Sequence, residues 1–253
     1  MNCAILIVAR LGSQRLRAKH LQPVGDTPIL LHLVRRIRHA FGGLLAAGEA
    51  RVVIATSDEP ENRLLEQVVG TEAGVFYGSI SNIPLREKQA ADHFGCEQIV
   101  SVDGDDILCS PAGMLAVARR LAAGPEEYVQ TAGLPFGMNS FGYTRRFLTG
   151  ALAGHTEATL ETGWGRIFTG TTPGLIAYPD LPQDQRLRFT LDYPDDLTFF
   201  RAVLAALGPR AAGASDREII DLVLQQRLYA LNAALAEEYW ANFRRQVKKE
   251  QSA

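Results

Sequence analysis

The sequence predicts an α/β fold with a doubly wound, mostly parallel sheet. Apolar runs such as CAILIV at residues 3–8 lack alternation, which is typical of strands buried on both faces. Segments with helical spacing follow these runs, so strands and helices alternate along the chain. The chain has 253 residues, of which 47% are hydrophobic and 21% are charged, and this is sufficient for one large core.

The first half of the chain predicts four strands and the helices between them. After residues 3–8, the predicted strands lie at residues 50–57, 74–79 and 98–105. Thr27 and Pro28 match a helix N-cap and first helical position, and apolar residues at helical spacing continue to Gly42. The later helices are predicted at residues 60–69, from Asn82 to Phe94 with Gly95 as terminator, and from Ser110-Pro111 to Gly124.

The second half of the chain is less regular. The short strand candidates after residue 128 are YVQTA, LIAY and LRFTL. A helix from Tyr193-Pro194 to Leu207 follows, then a polar linker at 208–215 and a helical region from Asp216. We therefore predict one domain over residues 1–207 with an inserted region at about 135–185. Residues 208–253 are predicted to be a linker and a C-terminal helical tail whose apolar face docks on that domain.

The charge distribution favours a small anionic ligand. The net charge is −2, which gives no overall attraction to nucleic acid or to a membrane surface. Residues 1–40, however, carry seven Lys or Arg and only one acid, Asp26. Three scattered cysteines fit neither a disulfide framework nor a zinc site, and no apolar run reaches the ~18 residues of a spanning helix. We expect a cytoplasmic protein without a signal peptide, a membrane segment or a nucleic-acid partner.

The segment ARLGSQRLRAK, residues 9–19, is predicted to bind phosphate groups. It leaves the first strand at its carboxyl end, where ligands gather in open α/β sheets. Arg10, Arg15 and Lys19 can converge on phosphate oxygens, while Gly12 and Ser13 allow close approach of the backbone. Neither GxxxxGKS/T nor GxGxxG is present, which argues against a P-loop and against a dehydrogenase. A solvated basic loop is the alternative interpretation.

Two carboxylates at predicted strand ends are candidate ligands for Mg²⁺. Asp105 follows the fourth strand, and Asp192 directly precedes the helix start at Tyr193-Pro194. Mg²⁺ commonly takes one or two carboxylates together with phosphate oxygens. An Asp- and Gly-rich turn is the alternative for the first segment. Asp195 and Asp196 are expected to complement the helix dipole instead.

In this order, the basic segment and the two carboxylate segments resemble the cytidylyltransferases that activate acidic sugars. That family includes CMP-Kdo and CMP-sialic acid synthetases, and the most similar branch is typified by spore-coat polysaccharide biosynthesis proteins. The family pattern A-R-x-G-S-x-R-L-x-x-K-x-L is present from Ala9 to Leu21. Arg17-Ala18 stands where the family usually has Pro-Gly. The resemblance runs from residue 3 to about 245 and is weakest over residues 135–185.

Later family motifs are present with substitutions. An arginine followed by Gln-Ala-Ala before a glycine matches Arg86, residues 89–91 and Gly95. The G-D-x-P metal motif appears as GDDI at residues 104–107, without its proline. The motif V-D-T-P-E-D-L appears as LDYPDDL at residues 191–197.

The resemblance implies both a fold and an activity. The fold is a Rossmann-like three-layer sandwich of the nucleotide-diphospho-sugar transferase type, so that residues 1–207 would be a nucleotidyltransferase domain with an inserted arm. The activity is transfer of CMP from CTP to a hydroxyl of an acidic sugar of the ulosonic or nonulosonic type. Pyrophosphate would be released, in surface polysaccharide biosynthesis. Mg²⁺ is the predicted cofactor, and a homodimer is the predicted assembly.

The matched positions define the predicted site. Arg10, Arg15 and Lys19 are predicted to be the catalytic cations on the triphosphate, and Asp105 and Asp192 to hold Mg²⁺. The other nucleotide-binding positions are Leu11, Gly12, Ser13, Ser79, Ser81, Asn82 and Arg86. His20 is predicted to be a loop residue rather than a base.

The acceptor is predicted to bind over residues 135–170. Aromatic side chains there suit a sugar face, and arginines suit a carboxylate. The candidates are Phe136, Asn139, Tyr143, Arg145, Arg146, Trp164 and Arg166. Packing of this arm at a dimer contact is the alternative.

The sequence is also compatible with two alternative functions. A related nucleotidyltransferase with another NTP, or with a phosphonate or sugar-phosphate acceptor, would also place a basic loop after the first strand. A non-catalytic nucleotide-binding protein belongs to a different class and would tolerate the loss of a metal carboxylate.

Overall fold

The computed structural model describes residues 1–13, 15–157 and 159–252, so Gln14 of the basic segment lies outside the described residues. Its strands are β1 (Cys3–Val8), β2 (Pro23–Val24), β3 (Thr27–Pro28), β4 (Ala50–Ser57), β5 (Gly74–Gly78), β6 (Gln98–Asp103), β7 (Tyr128–Ala132), β8 (Phe141–Thr144) and β9 (Gly174–Ala177). Its helices are α1 (Ile29–Ala46), α2 (Leu64–Val69), α3 (Ile83–Phe94), α4 (Pro111–Ala123), α5 (Arg145–Ala153), α6 (Pro194–Leu207), α7 (Asp216–Gln225) and α8 (Ala236–Glu250).

Within the described residues, seven strands form one central sheet in the order β5-β4-β1-β6-β8-β7-β9. The strands β5, β4, β1 and β6 are parallel. Strand β8 runs antiparallel to both β6 and β7, while β7 and β9 are parallel to each other. The predicted mostly parallel sheet is therefore confirmed.

Helices cover both faces of this sheet. The side chains of β1 alternate between two apolar clusters: Ile5 and Ile7 pack with α1 and α4, whereas Ala4 and Leu6 pack with α3 and α5. Because β1 is buried on both faces, its sequence is apolar at successive positions. The three-layer arrangement predicted from the sequence is confirmed.

Helix α1 differs from its prediction at both ends. It begins at Ile29 because Thr27 and Pro28 pair with residues 23–24 as β3. It continues through Gly42, the predicted terminator, to Ala46. The cap residues Asn82 and Ser110 are confirmed, since their side chains accept hydrogen bonds from the backbone N–H groups of Leu85 and Gly113.

The strand prediction for LRFTL is wrong. Within residues 187–191, Arg188 forms an isolated bridge with Phe136, and the backbone N–H of Leu191 donates to the Asp105 carbonyl at 2.9 Å. Leu187, Phe189 and Leu191 all enter an apolar cluster with α6 and α7. Arg188 and Thr190, which lie between them, are also buried, so the segment is a buried connection between elements rather than a strand of the sheet. Strand β8 was not predicted.

The C-terminal tail docks on the domain only in part. Ile219, Ile220 and Val223 of α7 are fully buried in the cluster with α6. Every residue of α8, in contrast, is at least partly exposed. Across residues 1–13, 15–157 and 159–252, none of the helices combines the length and apolar character needed to cross a membrane.

The position of β8 in the sheet depends on Gly142. A Cβ atom added at Gly142 would lie 2.5 Å from the carbonyl oxygen of Ile99 on β6 and 2.8 Å from the Val117 side chain on α4. We predict that Gly142→Ala lowers the free energy of unfolding by about 1–3 kcal/mol, because the strand or the helix must shift. Urea denaturation measures this change.

Gly42→Ala is the matched control for this prediction. Gly42 lies inside α1, and a Cβ atom there meets nothing within 4 Å. Because alanine is the better helix former, the control should be unchanged or stabilised by up to about 1 kcal/mol. Equal effects of both substitutions would contradict close packing at Gly142.

Candidate functional site

The carboxyl ends of β1 and β6 meet at one edge of the sheet. Val8 pairs with Asp103 across these strands, and the N–H of Gly104 donates to the Val8 carbonyl at 2.8 Å. A Cβ atom at Gly104 would lie 2.8 Å from both that carbonyl and the Ala9 side chain. Glycine is therefore needed here, because it lets the carboxylate turn lie directly against the start of the basic segment.

Lys19 joins the two predicted metal carboxylates. Its ammonium forms an ion pair with Asp105 and lies 3.6 Å from Asp192 Oδ1. Arg15 approaches the same Asp192 oxygen at 2.6 Å. The structure thus brings together residues that are up to 177 positions apart in the chain.

The electrostatics of the two carboxylates differ. Partial burial raises the pKa of Asp105, but the Lys19 ammonium and the His20 imidazole outweigh this effect and hold the pKa below its ordinary value. At Asp192, burial and the nearby Asp105 charge raise the pKa against the opposing influence of Lys19 and Arg15. The mutual repulsion of these carboxylates is what a bound cation would relieve.

His20 is a structural part of the site that the sequence interpretation missed. It is 2% exposed, although it was predicted to be a loop residue. Its Nε2 lies 2.9 Å from Asp105 Oδ1, and its Nδ1 lies 3.0 Å from the Arg10 carbonyl. His20 therefore orients the Asp105 carboxylate against the basic segment.

Arg10 points to a different partner from the other two cations. Its guanidinium lies 2.6 Å from Glu161, a carboxylate that the sequence did not single out. Arg86 approaches the other oxygen of Glu161 at 3.4 Å. The Arg10 side chain is 45% exposed, so it is accessible to a ligand.

Leu11 and Ser13 shape the backbone of the basic segment. The N–H of Leu11 donates to Asn62 Oδ1 at 2.8 Å, and Asn62 is itself completely buried. Ser13 Oγ accepts from the Leu16 N–H at 3.4 Å, and Gly12 is exposed. Asn62, which sequence reasoning missed, fixes the exit of the chain from β1.

Arg86 fixes the backbone of the loop after β5 through hydrogen bonds to its carbonyl groups. This arginine is 1% exposed and donates to the carbonyls of Ser79 at 2.8 Å and Ile80 at 3.0 Å. Asn82 uses its Oδ1 to cap α3, and the Ser81 carbonyl accepts from the Leu160 N–H at 2.8 Å. Arg86 and Asn82 therefore hold the loop in place. The hydrogen bond between Leu160 and Ser81 brings the loop next to Glu161.

The carboxylates fit the predicted Mg²⁺ in number and type. Across residues 1–13, 15–157 and 159–252, no group of three or more His, Cys, Asp or Glu is arranged to hold a metal ion. Asp105 and Asp192, however, both contact the cationic Lys19 group. Two carboxylates that share one cation match the sparse protein ligation that Mg²⁺ takes beside phosphate oxygens.

Sequence comparison assigns the family. The sequence model described as cytidylyltransferase matches residues 4–146, which is more than half of the chain and includes both the basic segment and Asp105. The chain belongs to the cytidylyltransferase family. The resemblance seen in the sequence motifs is thereby confirmed.

Two curated relatives of this family member are 3-deoxy-manno-octulosonate cytidylyltransferases. The protein from Methylibium petroleiphilum is 35% identical over 137 residues, which cover 52% of this chain and 48% of the relative. The protein from Chlorobaculum tepidum is 33% identical over 126 residues, which cover 49% and 48%. The chain thus spans about half the length of the curated relatives it matches.

Solved structures of two proteins share the fold. A cytidylyltransferase from Leptospira borgpetersenii has a TM-score of 0.78 at 23% identity, with 92% of this chain and 98% of that chain covered. The CMP:2-keto-3-deoxy-manno-octonic acid synthetase complexed with CTP has a TM-score of 0.58 at 16% identity, with 81% and 99% covered. These similarities extend to the C-terminal half, where the family model does not match.

Two predicted acceptor residues of this cytidylyltransferase family member are core residues. Tyr143 is completely buried, and its hydroxyl donates to the buried Glu87 carboxylate. Trp164 is 6% exposed and packs against Phe141 at 5.5 Å between ring centroids. The acceptor prediction is corrected at these positions, because their side chains fill the apolar cluster under α3 and α5.

Three other predicted acceptor residues, Arg145, Asn139 and Arg166, bond to groups away from the two metal carboxylates. Arg145 pairs with Asp92 at 3.2 Å and with Glu97 at 2.7 Å, next to the amino end of β6 and opposite the end that carries Asp103. Asn139 closes its own turn by donating to the Leu134 carbonyl at 2.9 Å. Arg166 pairs with Glu157 at 2.6 Å and with Glu250 of α8 at 3.2 Å. None of these contacts, among the described residues, brings the three side chains to Asp105 or Asp192.

Arg188, which the sequence analysis did not single out, does contact Asp192. It is 3% exposed, and it donates to Asp192 Oδ2 and Asp196 Oδ1 at 3.0 Å each. Its guanidinium carbon lies 4.4 Å from the ring centroid of Tyr239 on α8 and 5.7 Å from that of Phe136. An arginine inside the apolar run LRFTL, four residues before Asp192, was the signal that could have identified it.

Ala18 shows why the family has glycine before its lysine. Ala18 has φ 47° and ψ 42°, in the left-handed region that favours glycine. We predict that Ala18→Gly raises the free energy of unfolding by about 0.5–1 kcal/mol. Relief of about 1–2 kcal/mol of left-handed strain outweighs the greater entropy of glycine in the unfolded chain.

Chemical denaturation of Ala18→Gly should be compared with that of Ala122→Gly. Ala122 is an exposed residue of α4, and its replacement should lower stability by about 1 kcal/mol. A loss of stability in Ala18→Gly similar to that of the control would contradict the left-handed conformation.

Proposed function

We propose that this protein transfers CMP from CTP to a hydroxyl of an acidic sugar and releases pyrophosphate. The observation that carries the proposal is the convergence of Asp105 and Asp192 on the Lys19 ammonium, at the strand end beside the basic segment. Family membership and the octulosonate cytidylyltransferase relatives support CTP as donor and an ulosonic-type acceptor. The product would serve surface polysaccharide biosynthesis.

The cations of the site would bind the triphosphate by exchanging partners. Arg15 and Lys19 are paired with carboxylates, and Arg10 is paired with Glu161. Phosphate oxygens offer the same charge and hydrogen-bond geometry, and Arg10 and Arg15 are partly exposed. In the reaction, these groups would stabilise charge on the oxygens around the α-phosphorus and on the departing pyrophosphate.

Asp105 and Asp192 would hold the metal ion, and His20 would keep Asp105 oriented. When bound, Mg²⁺ supplies Lewis-acid stabilisation of the phosphate charge. Both carboxylates lose the repulsion between them once their charge is shared with a cation. The geometry therefore suits a site that assembles fully with the nucleotide.

The loop of Ser79, Ser81 and Asn82 would carry the cytosine. Its backbone is fixed by Arg86 and by Gln89, whose Oε1 accepts from the Ser79 N–H at 2.9 Å. Glu161 lies beside this loop through the Leu160 contact with Ser81. A fixed loop with backbone polar groups is suited to base recognition, because few degrees of freedom are lost on binding.

The acceptor would bind next to Arg188, between Asp192 and α8. Arg188 Nη1 is buried and has no hydrogen-bond partner among the described residues, so it can donate to a carboxylate oxygen of the acceptor after a small adjustment. Phe136 is 38% exposed and offers an aromatic face to a sugar ring. This placement replaces the buried Tyr143 and Trp164 of the initial prediction.

We propose a homodimer, supported by the sheet-edge strand β9, on which Leu175 is 54% exposed. We propose a cytoplasmic location, supported by three free, buried cysteines. Residues 1–207 would form the nucleotidyltransferase domain, with the arm at about 135–185 and the tail at 208–253. Light scattering would measure the assembly.

Pyrophosphate release with each of the four NTPs, Mg²⁺ and a panel of sugar acids, sugar phosphates and phosphonates tests the activity. We expect turnover with CTP and a sugar acid. Asp105→Asn should lower kcat by at least 100-fold, since one of two metal carboxylates is lost. Asp195→Asn, at an exposed position in the first turn of α6, should retain activity.

Other results of this assay select the alternatives. Turnover with UTP or GTP would identify a different nucleotidyltransferase. Tight CTP binding without any turnover would identify a non-catalytic nucleotide-binding protein. Full activity of Asp105→Asn would refute the metal assignment.

The acceptor placement predicts a selective effect of Phe136→Ala. Loss of the aromatic face should raise KM for the sugar acid about 5- to 10-fold, because stacking contributes about 1 kcal/mol. KM for CTP should stay unchanged. Leu64→Ala, an exposed apolar position on α2, is the control and should change neither value. An equal rise of both KM values in Phe136→Ala would place Phe136 outside the acceptor pocket.

A further inference from the structure

A cavity of ≈ 460 Å³ lies between α1, the start of α4 and residues 212–217. It shares no residue with the candidate nucleotide site. Its walls are mostly apolar, formed by residues such as Ala40, Leu115, Tyr178 and Leu181. A cavity of this size is within the range that small organic ligands occupy.

One wall of the cavity contains a buried arginine with unused donors. Arg36 is 0% exposed, and its Nη1 donates to the Ala211 carbonyl at 2.7 Å. Its Nε and Nη2 have no hydrogen-bond partner in the described part of the chain. These two nitrogens form the edge of the guanidinium that binds a carboxylate with two parallel hydrogen bonds.

The same cavity contains a carboxylate with an unused acceptor. Asp216 Oδ2 accepts from Ser110 Oγ at 2.5 Å, whereas Asp216 Oδ1 is buried and unpartnered within the described residues. Burial raises the pKa of Asp216 despite the hydrogen bond from Ser110 and the charge of Arg36, and a further cationic group beside Oδ1 would offset this cost. One apolar space is thus lined by an arginine with an unsatisfied donor pair and by an aspartate with an unsatisfied acceptor.

The backbone adds positive potential to this end of the cavity. The N-termini of α4, which starts at Pro111, and of α7, which starts at Asp216, both border it. Helix N-termini favour anionic groups. A ligand carboxylate is therefore favoured by Arg36 and by the start of α4, whereas the dipole at the start of α7 is already complemented by Asp216 itself.

We propose that this cavity binds a free α-amino acid with an apolar side chain. The ligand carboxylate pairs with the Nε–Nη2 edge of Arg36, and its ammonium pairs with Asp216 Oδ1. Its side chain fills the apolar space against Leu115 and Leu181. A zwitterion satisfies all three unpartnered atoms, whereas a simple anion would leave Asp216 unpaired and close to like charge.

Isothermal titration calorimetry of the full-length protein with L-leucine and L-phenylalanine tests this site. We expect saturable binding of at least one of them. 4-Methylpentanoate, which lacks the ammonium, and 3-methylbutylamine, which lacks the carboxylate, should bind at least tenfold more weakly. Arg36→Met and Asp216→Asn should each weaken amino-acid binding at least tenfold.

Two further variants separate binding from folding. Arg38→Met removes an exposed arginine from the same helix and should bind as the wild type does. Ala112→Phe inserts a bulky side chain from the start of α4 and should abolish binding while leaving the Arg36 contacts in place. No saturable binding, unchanged binding in Ala112→Phe, or equal affinity for 4-methylpentanoate would overturn the proposal.

Discussion

The contact of Lys19 with Asp105 and Asp192 is the interaction on which the candidate site depends. It joins three segments that lie far apart in the chain and that are each anchored separately. Gly104 lets the carboxylate turn approach β1, His20 fixes Asp105, and Arg188 holds Asp192 from the core side. Because Lys19 is only 7% exposed, its charge is poorly screened by solvent, and the two carboxylates are the groups that compensate it.

Most arginines near the site bond to protein carbonyls and carboxylates and so hold its loops in position. Arg86 holds the loop after β5, and Arg188 holds Asp192 and Asp196. Arg166 links Glu157 and Thr162 to Glu250 at the end of α8. A triphosphate could reach Arg10 and Arg15, which are about two-fifths exposed, without disturbing the core. Burial, rather than the density of basic residues, therefore separates the arginines that a triphosphate could reach from those that position neighbouring carboxylates and loops.

Helix α8, near the C-terminus of the chain, contacts residues beside the candidate site. Tyr239 stacks on Arg188, Asn242 donates to the Tyr193 hydroxyl at 2.8 Å, and Glu250 accepts from the N–H groups of Glu161 and Thr162 at 3.3 and 2.9 Å. Each contact is made by a partly exposed helix to a loop of the site. Such a cover has few buried apolar groups to hold it, so its stability is expected to be lower than that of the sheet.

The sequence by itself determined the alternation of strands and helices, the caps at Asn82 and Ser110, and the basic and acidic residues at the ends of β1 and β6. These features depend on local spacing and backbone chemistry, which are complete within short segments. Only the tertiary structure decided that LRFTL is a connecting segment, that β8 enters the sheet antiparallel, and that Tyr143 and Trp164 are core residues. It alone brought Glu161, Arg188 and Tyr239 to the site. The physical reason is that burial and charge pairing depend on which distant segments meet, and a side chain's type does not reveal its partner.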